Sequence, residues 1–125
     1  MLFDTYVLIW YLRGNVQAAE LLDQTTTRQT SVISYMELLQ GCRGMEQQRR
    51  IRDFLSAFDF TVMALSENIG HRAAIYMEQH SPATGLSAMD ALIAATAVES
   101  HSVLATGNVK HFSRITELRV TRFKA

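Results

Sequence analysis

The sequence has one cysteine, Cys42, one proline, Pro82, one tryptophan, Trp10, and no net charge. A single cysteine excludes an intrachain disulfide framework and any multi-cysteine metal site. A single proline, with no repeat and no low-complexity tract, leaves no linker to divide the chain, so one domain over residues 1–125 is expected. No apolar run approaches the ~18 residues that a membrane span needs. The opening residues MLFDTYVLIWYLRG place Asp4 ahead of the apolar stretch and lack a basic region, which is not a signal-peptide pattern. The expectation is a soluble cytoplasmic domain with no membrane partner. The nucleotide-binding loops G-x-x-x-x-G-K-[ST] and G-x-G-x-x-G are also missing.

Neutrality excludes the simplest nucleic-acid footprint, a strongly basic domain, but not a local basic patch. Twelve basic residues balance twelve acidic ones, yet residues 1–109 carry net −4 and residues 110–125 net +4. Ten of the twelve cations are arginine, the better bidentate partner for phosphate. Apolar residues make up 48% of the chain, enough to fill a core.

Periodicity predicts alternating strands and helices. Met1–Asp4 reads as a strand, Val7–Arg13 as a helix stopped by Gly14-Asn15, and Val16–Asp23 as an amphipathic helix. Gln29–Val32 is β-prone, and Ser34-Tyr35-Met36-Glu37 opens or continues a helix that ends near Gly41. Met45–Phe58 is the clearest helix, with Ile51, Phe54, Leu55 and Phe58 on one stripe. Phe60–Leu65 is a strand and Glu67–Gln79 a helix ending before Ser81-Pro82. Ser87–Glu99 is an Ala-rich helix, Val103–Thr106 a strand, and Leu118–Phe123 a final edge strand. Such alternation predicts an α/β fold with a parallel sheet between helices, whose chemistry sits beyond the carboxyl ends of the strands.

Four polar residues fall where that rule looks. Asp4 follows the first strand, where a carboxylate is costly to desolvate unless paired, although Asp is equally a good helix cap. Glu37 and Asp90 lie on apolar helix faces, yet Ser34-x-x-Glu37 and Ser87-x-x-Asp90 both match the capping box. Asn108, after Gly107, is either a turn residue or a carboxamide able to bind a metal or its water. Together, three carboxylates and a carboxamide could converge on one pocket. Their mutual repulsion would be relieved by a hard divalent cation, Mg²⁺ or Mn²⁺, which activates water and stabilises a phosphodiester transition state. The four histidines show no metal-ligand spacing.

The chain resembles the PIN-domain ribonucleases, specifically the VapC-type toxins of bacterial toxin–antitoxin pairs. The blocks that carry the resemblance are Leu2-Phe3-Asp4-Thr5 with Val7-Leu8-Ile9, and Ser34-Tyr35-Met36-Glu37-Leu38 with Gly41. They continue with Met89-Asp90-Ala91-Leu92-Ile93-Ala94-Ala95-Thr96-Ala97, then Leu104-Ala105-Thr106, Asn108 and Lys110-His111-Phe112. The resemblance implies a three-layer α/β/α sandwich on a parallel sheet of four or five strands. It implies metal ligation by Asp4, Glu37 and Asp90, with Asn108 at a fourth catalytic position and Thr5 and Thr106 bordering the site. It also implies Mg²⁺- or Mn²⁺-dependent cleavage of RNA such as transfer or ribosomal RNA, a cognate VapB-type antitoxin, and a homodimer. The apolar faces at Ile51–Phe58 and Val7–Leu12, with Trp10 and Tyr11, are candidates for an antitoxin groove or a dimer contact. Arg49, Arg50, Arg52 and the basic C-terminal segment are candidates to hold RNA phosphates.

One position departs from the pattern. Tyr6 stands where relatives commonly carry Asp, Asn or Ser, beside the metal ligands. If the ring occupies the ligand shell it weakens metal binding, and the chain becomes an antitoxin-binding and dimerisation module. If it turns aside, the three acids suffice. A haloacid-dehalogenase-like or receiver-like domain fits worse, because the first needs an acid at position 6 and the second paired acids at the first strand.

Overall fold

The computed structural model describes all 125 residues. Twelve elements follow in order: β1 (Leu2–Phe3), α1 (Thr5–Leu12), α2 (Val16–Gln24), β2 (Gln29–Ser31), α3 (Val32–Gln40), α4 (Met45–Ala57), β3 (Thr61–Met63), α5 (Glu67–Thr84), α6 (Ala88–Glu99), β4 (Leu104–Thr106), α7 (Val109–Phe112) and β5 (Val120–Arg122). The strands form one parallel sheet in the order β3-β2-β1-β4-β5. The first strand in sequence is therefore the middle strand in space. Chain order reverses at β1, so the crevice between the carboxyl ends of β1 and β4 is the switch point where open α/β sheets place their ligands.

Alternation along the strands feeds two cores, one on each face. Leu2 and Leu104 pack with Ile69, Ala73 and Tyr76 of α5, the alanines of α6, and Phe112. Phe3 and Ala105 point the other way, onto Val7, Leu8, Ala18, Leu22, Leu38 and the α4 residues Ile51, Phe54 and Leu55. Each fully buried side chain of this size contributes roughly 1.5–3 kcal/mol relative to exposure. Helix α6 is covered on several sides, and Ala91, Ala94, Ala95 and Ala97 are fully buried. Small side chains there let α5 and the sheet approach closely.

The apolar stripes proposed for partner contact go largely into this core. Ile51, Phe54, Leu55, Val7 and Leu8 are buried, and Tyr11 stacks on Phe54 with centroids 4.8 Å apart. Only Leu12 of that set is clearly exposed.

Helix ends show three further differences from the sequence reading. Helix α1 begins at Thr5 rather than Val7, because Asp4 caps it by accepting from the Val7 N–H at 3.2 Å. Helix α3 is capped by Ser31, not Ser34, and begins at Val32. Helix α5 continues through Pro82 to Thr84, where Gly85 at φ +74° ends it. Proline removes one N–H, but Glu78, whose carbonyl it would have served, is exposed to water. The Gly85 N–H still reaches Ser81 O at 3.2 Å and the Thr84 hydroxyl reaches His80 O at 3.0 Å. The short helix α7 was not expected.

Candidate active site

Asp4 sits at the switch point and is 6% exposed. Its Oδ1 accepts from the Val7 N–H, and its Oδ2 accepts from the hydroxyl of Thr106 at the end of β4. Capping therefore does not exclude a site role for this carboxylate, since each oxygen has its own donor. The Thr106 oxygen in turn accepts from the Asn108 N–H at 3.1 Å, which fixes the turn that presents Asn108. The Asn108 side chain makes no capping bond and is exposed, so its carboxamide is free for a ligand.

Burial pushes the Asp4 carboxyl above its ordinary pKa. The Thr106 hydroxyl and the backbone N–H groups of Val7 and Tyr6 oppose that rise, and the negative charge of Asp90 adds to it. A carboxylate that is both desolvated and repelled by a second carboxylate is a place where a cation is favoured.

Asp90 lies in the first turn of α6. The expected capping box is formed: Ser87 Oγ accepts from the Asp90 N–H at 3.1 Å, and the Asp90 carboxylate faces the Ser87 N–H. The same carboxylate oxygen lies 3.2 Å from His111 Nδ1. The sequence reading did not assign His111 a role; the only signal was its place in the Lys110-His111-Phe112 block.

Glu37 behaves differently. The Ser34–Glu37 capping box does not form, because Ser34 is already inside α3 and fully buried. Glu37 Oε1 instead accepts from the Thr5 hydroxyl at 2.6 Å, and Ser34 Oγ lies 2.9 Å from the same hydroxyl. Thr5 has one proton and gives it to the carboxylate, which leaves Ser34 to donate to Thr5. On its outer side Glu37 borders a groove with Arg13, Gln47, Arg50 and the apolar Ile9, Leu12 and Ile51.

Tyr6 points its ring over Gly107, where a Cβ would come within 2.8 Å of Cδ1 and Cε1. The ring meets Trp10 and Phe123 nearly at right angles, with centroids 6.1 and 6.4 Å away.

No three of the chain's His, Cys, Asp and Glu side chains form a ready-made metal cage. A hard cation of the Mg²⁺ type does not require one, since it is commonly bound through one or two carboxylates and keeps several waters. Asp4 and Asp90, all-oxygen donors that repel each other, fit such an ion.

Residues 1–118 match the PIN domain family. The chain belongs to that family. Ribonuclease VapC19 of Mycobacterium tuberculosis is 33% identical to this PIN domain over 126 residues, which cover 94% of this chain and 96% of that protein. A toxin–antitoxin complex from Klebsiella pneumoniae contains a chain with TM-score 0.83 and 30% identity, covering 99% of this chain and 98% of that one. VapBC-1 from nontypeable Haemophilus influenzae gives TM-score 0.78 at 27% identity, with 97% and 96% covered. This PIN domain is thus of the VapC toxin type, a nuclease of the hydrolase class, and a purely binding module is not favoured. Its five-stranded parallel sheet between helices is the PIN-like architecture. No helix is long and apolar enough to cross a membrane.

Proposed function

We propose that this PIN domain is a divalent-metal-dependent endoribonuclease, the toxin of a pair, held in check by a VapB-type antitoxin. The observation that carries the reading is the buried Asp4, bonded to Thr106 across the switch point and within the field of Asp90. Asp4 and Asp90 would hold Mg²⁺ or Mn²⁺, with Glu37 and the Asn108 carboxamide reaching it directly or through water. When bound, the ion supplies positive charge against the phosphodiester transition state and acidifies water. Glu37, oriented by Thr5, accepts the proton of the attacking water. Asp4 and Asp90 keep the phosphate's non-bridging oxygens at bay unless a cation intervenes, which ties cleavage to the ion. Cleavage leaves a 5′-phosphate and a 3′-hydroxyl.

The Tyr6 ring turns aside onto Gly107 and leaves the three acids free to act, but it adds no oxygen ligand beside Asp4, so metal affinity is lower than with an acid or amide there. Tyr6→Asp then tightens Mn²⁺ in calorimetric titration. The substrate is RNA of the transfer or ribosomal kind, met in the bacterial cytoplasm, and the active unit is a homodimer. The antitoxin places a basic side chain among the carboxylates. The test is RNA cleavage and growth arrest by Asp4→Asn and Asp90→Asn, both expected to lose the two activities. Retention of either activity in both variants refutes the reading.

A further inference from the structure

We propose that Tyr6 is a stacking platform for a nucleobase next to the scissile phosphate, a role that rests on the ribonuclease reading above. Tyr6 follows Asp4 by two positions and lies against Gly107, the residue after Thr106, so the ring stands beside the Asp4–Thr106 contact.

Three observations bear on what such a ring does. Tyr6 is 42% exposed, so it is not a core residue. Its orientation is nonetheless fixed: Gly107 provides the seat, which any Cβ would fill at 2.8 Å, and Trp10 and Phe123 meet the ring at 74° and 70°. No aromatic side chain is stacked parallel on it; both aromatic neighbours meet it at steep angles, and two fifths of the residue is open to solvent. A rigid, half-exposed ring without a stacked neighbour costs little entropy when a base lies on it.

Charge completes the ledge. The Arg13 guanidinium lies 5.9 Å over the centroid of Trp10, the ring that abuts Tyr6. Tyr6, Trp10 and Arg13 therefore run from the site along α1 as an aromatic pair ending in a cation. Proteins that hold unpaired nucleotides use this combination, stacking for the base and a guanidinium for the backbone. The ligand this implies is an unpaired nucleotide, in a loop or bulge, since a base inside a helix cannot offer its face. The ring carries no code for one base over another.

The experiment measures binding of a fluorescein-labelled hairpin RNA with an unpaired loop, in EDTA and at low salt so that nothing is cut. Anisotropy gives the Kd. The emission of Trp10, the only tryptophan, reports contact at the ledge. Tyr6→Phe is expected to bind within about twofold of wild type, with the same quenching of Trp10. Tyr6→Ala is expected to raise Kd about 5- to 150-fold, the range for removing one stacking ring. A hairpin with abasic loop positions should lose the difference between wild type and Tyr6→Ala. In cleavage assays the variant should raise KM more than it lowers kcat. If a folded Tyr6→Ala binds the hairpin as wild type does while wild type cleaves RNA, the platform is refuted alone, and the ledge belongs to a protein partner. If wild type neither binds nor cleaves RNA, the ribonuclease reading falls and the platform with it.

Discussion

His111 Nδ1 lies 3.2 Å from Asp90 Oδ2 and ties α7 to the first turn of α6. Because a carboxylate only accepts, Nδ1 carries the proton, and the imidazole holds the Asp90 oxygens in one orientation. An outer-shell partner of this kind typically changes metal affinity or activity by about 10- to 100-fold. His111→Ala is expected to weaken Mn²⁺ binding by about tenfold in calorimetry. His111→Asn, whose amide N–H falls near the place of Nδ1, should restore most of it. Equal affinity in all three proteins would show that the contact does not set the ligand.

Glu37 depends on Thr5 in the same manner. Thr5→Val keeps the shape of the side chain and removes the only hydroxyl proton aimed at Oε1. Single-turnover RNA cleavage should fall by about tenfold, with a stability loss of about 1–3 kcal/mol because the buried Ser34 hydroxyl loses its acceptor, and Thr5→Ser should recover both. A rate unchanged in Thr5→Val would free Glu37 from this constraint.

Asp4 gives the opposite signs for stability and activity. Its folded pKa is raised, so the native state binds its proton more tightly than the unfolded chain does. Stability therefore falls as pH climbs from the ordinary carboxyl value through the raised one, and is flat above it. Asp4→Asn should erase this slope and raise the urea midpoint at pH 7, because the amide oxygen still accepts from Thr106 or Val7. Mn²⁺ should raise the midpoint of wild type and not of the variant. A variant less stable than wild type at pH 7 would contradict the cost assigned to the ionised group.

Away from the site, Arg72 is gripped by Glu99 and Glu117, each with a contact of 2.7 Å, while the Tyr76 hydroxyl donates to Glu117. The Tyr76 hydroxyl, then Arg72, hold the Glu117 carboxyl below its usual value, and burial, then Glu117, pushes the Tyr76 phenol up to about 12. The Glu117 contribution is present above the ordinary carboxyl range and lost as pH falls through the depressed value. The Tyr76 contribution is lost as pH rises from 10 to about 12. Arg72, Glu99 and Glu117 are partly exposed and screened, so Arg72→Met should cost about 1 kcal/mol at pH 7. Urea titrations at pH 7 and pH 3 should show that difference shrink on the acid side.

Gly107→Ala should move the Tyr6 ring, since the new Cβ arrives 2.8 Å from two ring carbons. Because the ring is held between Gly107, Trp10 and Phe123, displacing it should cost about 1–3 kcal/mol, the usual range for overpacking. Trp10 emission should change in Gly107→Ala. In a Tyr6→Ser background the same substitution should be close to neutral. An equal cost in both backgrounds would place the strain in the backbone instead.

Much of this arrangement is written in short-range pattern. The alternation of strands and helices, Asp4 after the first strand and the Ser87–Asp90 box all follow from residues within a few positions of one another. The parts that were misread depend on distant partners. Ser34 and Glu37 look like a local capping box, but Thr5, 32 residues before Glu37, takes the carboxylate, and Ser31 takes the cap. Pro82 reads as a helix stop because the exposure of Glu78, which lets water donate to the carbonyl that Pro82 cannot serve, is not part of the pattern. His111 is legible only when α7 is known to fold back on α6. The Tyr6 ring direction hangs on the absence of a single methyl group at Gly107.

The bond between Thr106 and Asp4 joins residues 102 positions apart. During synthesis Asp4 leaves the ribosome long before Thr106, Asn108 and His111 exist. The central strand must wait for β4 before its second neighbour and its site are complete, so pairing of this kind is slow and late. A PIN domain built this way cannot assemble the Asp4–Thr106 contact until β4 has been made, so the early nascent chain carries the carboxylate without its site.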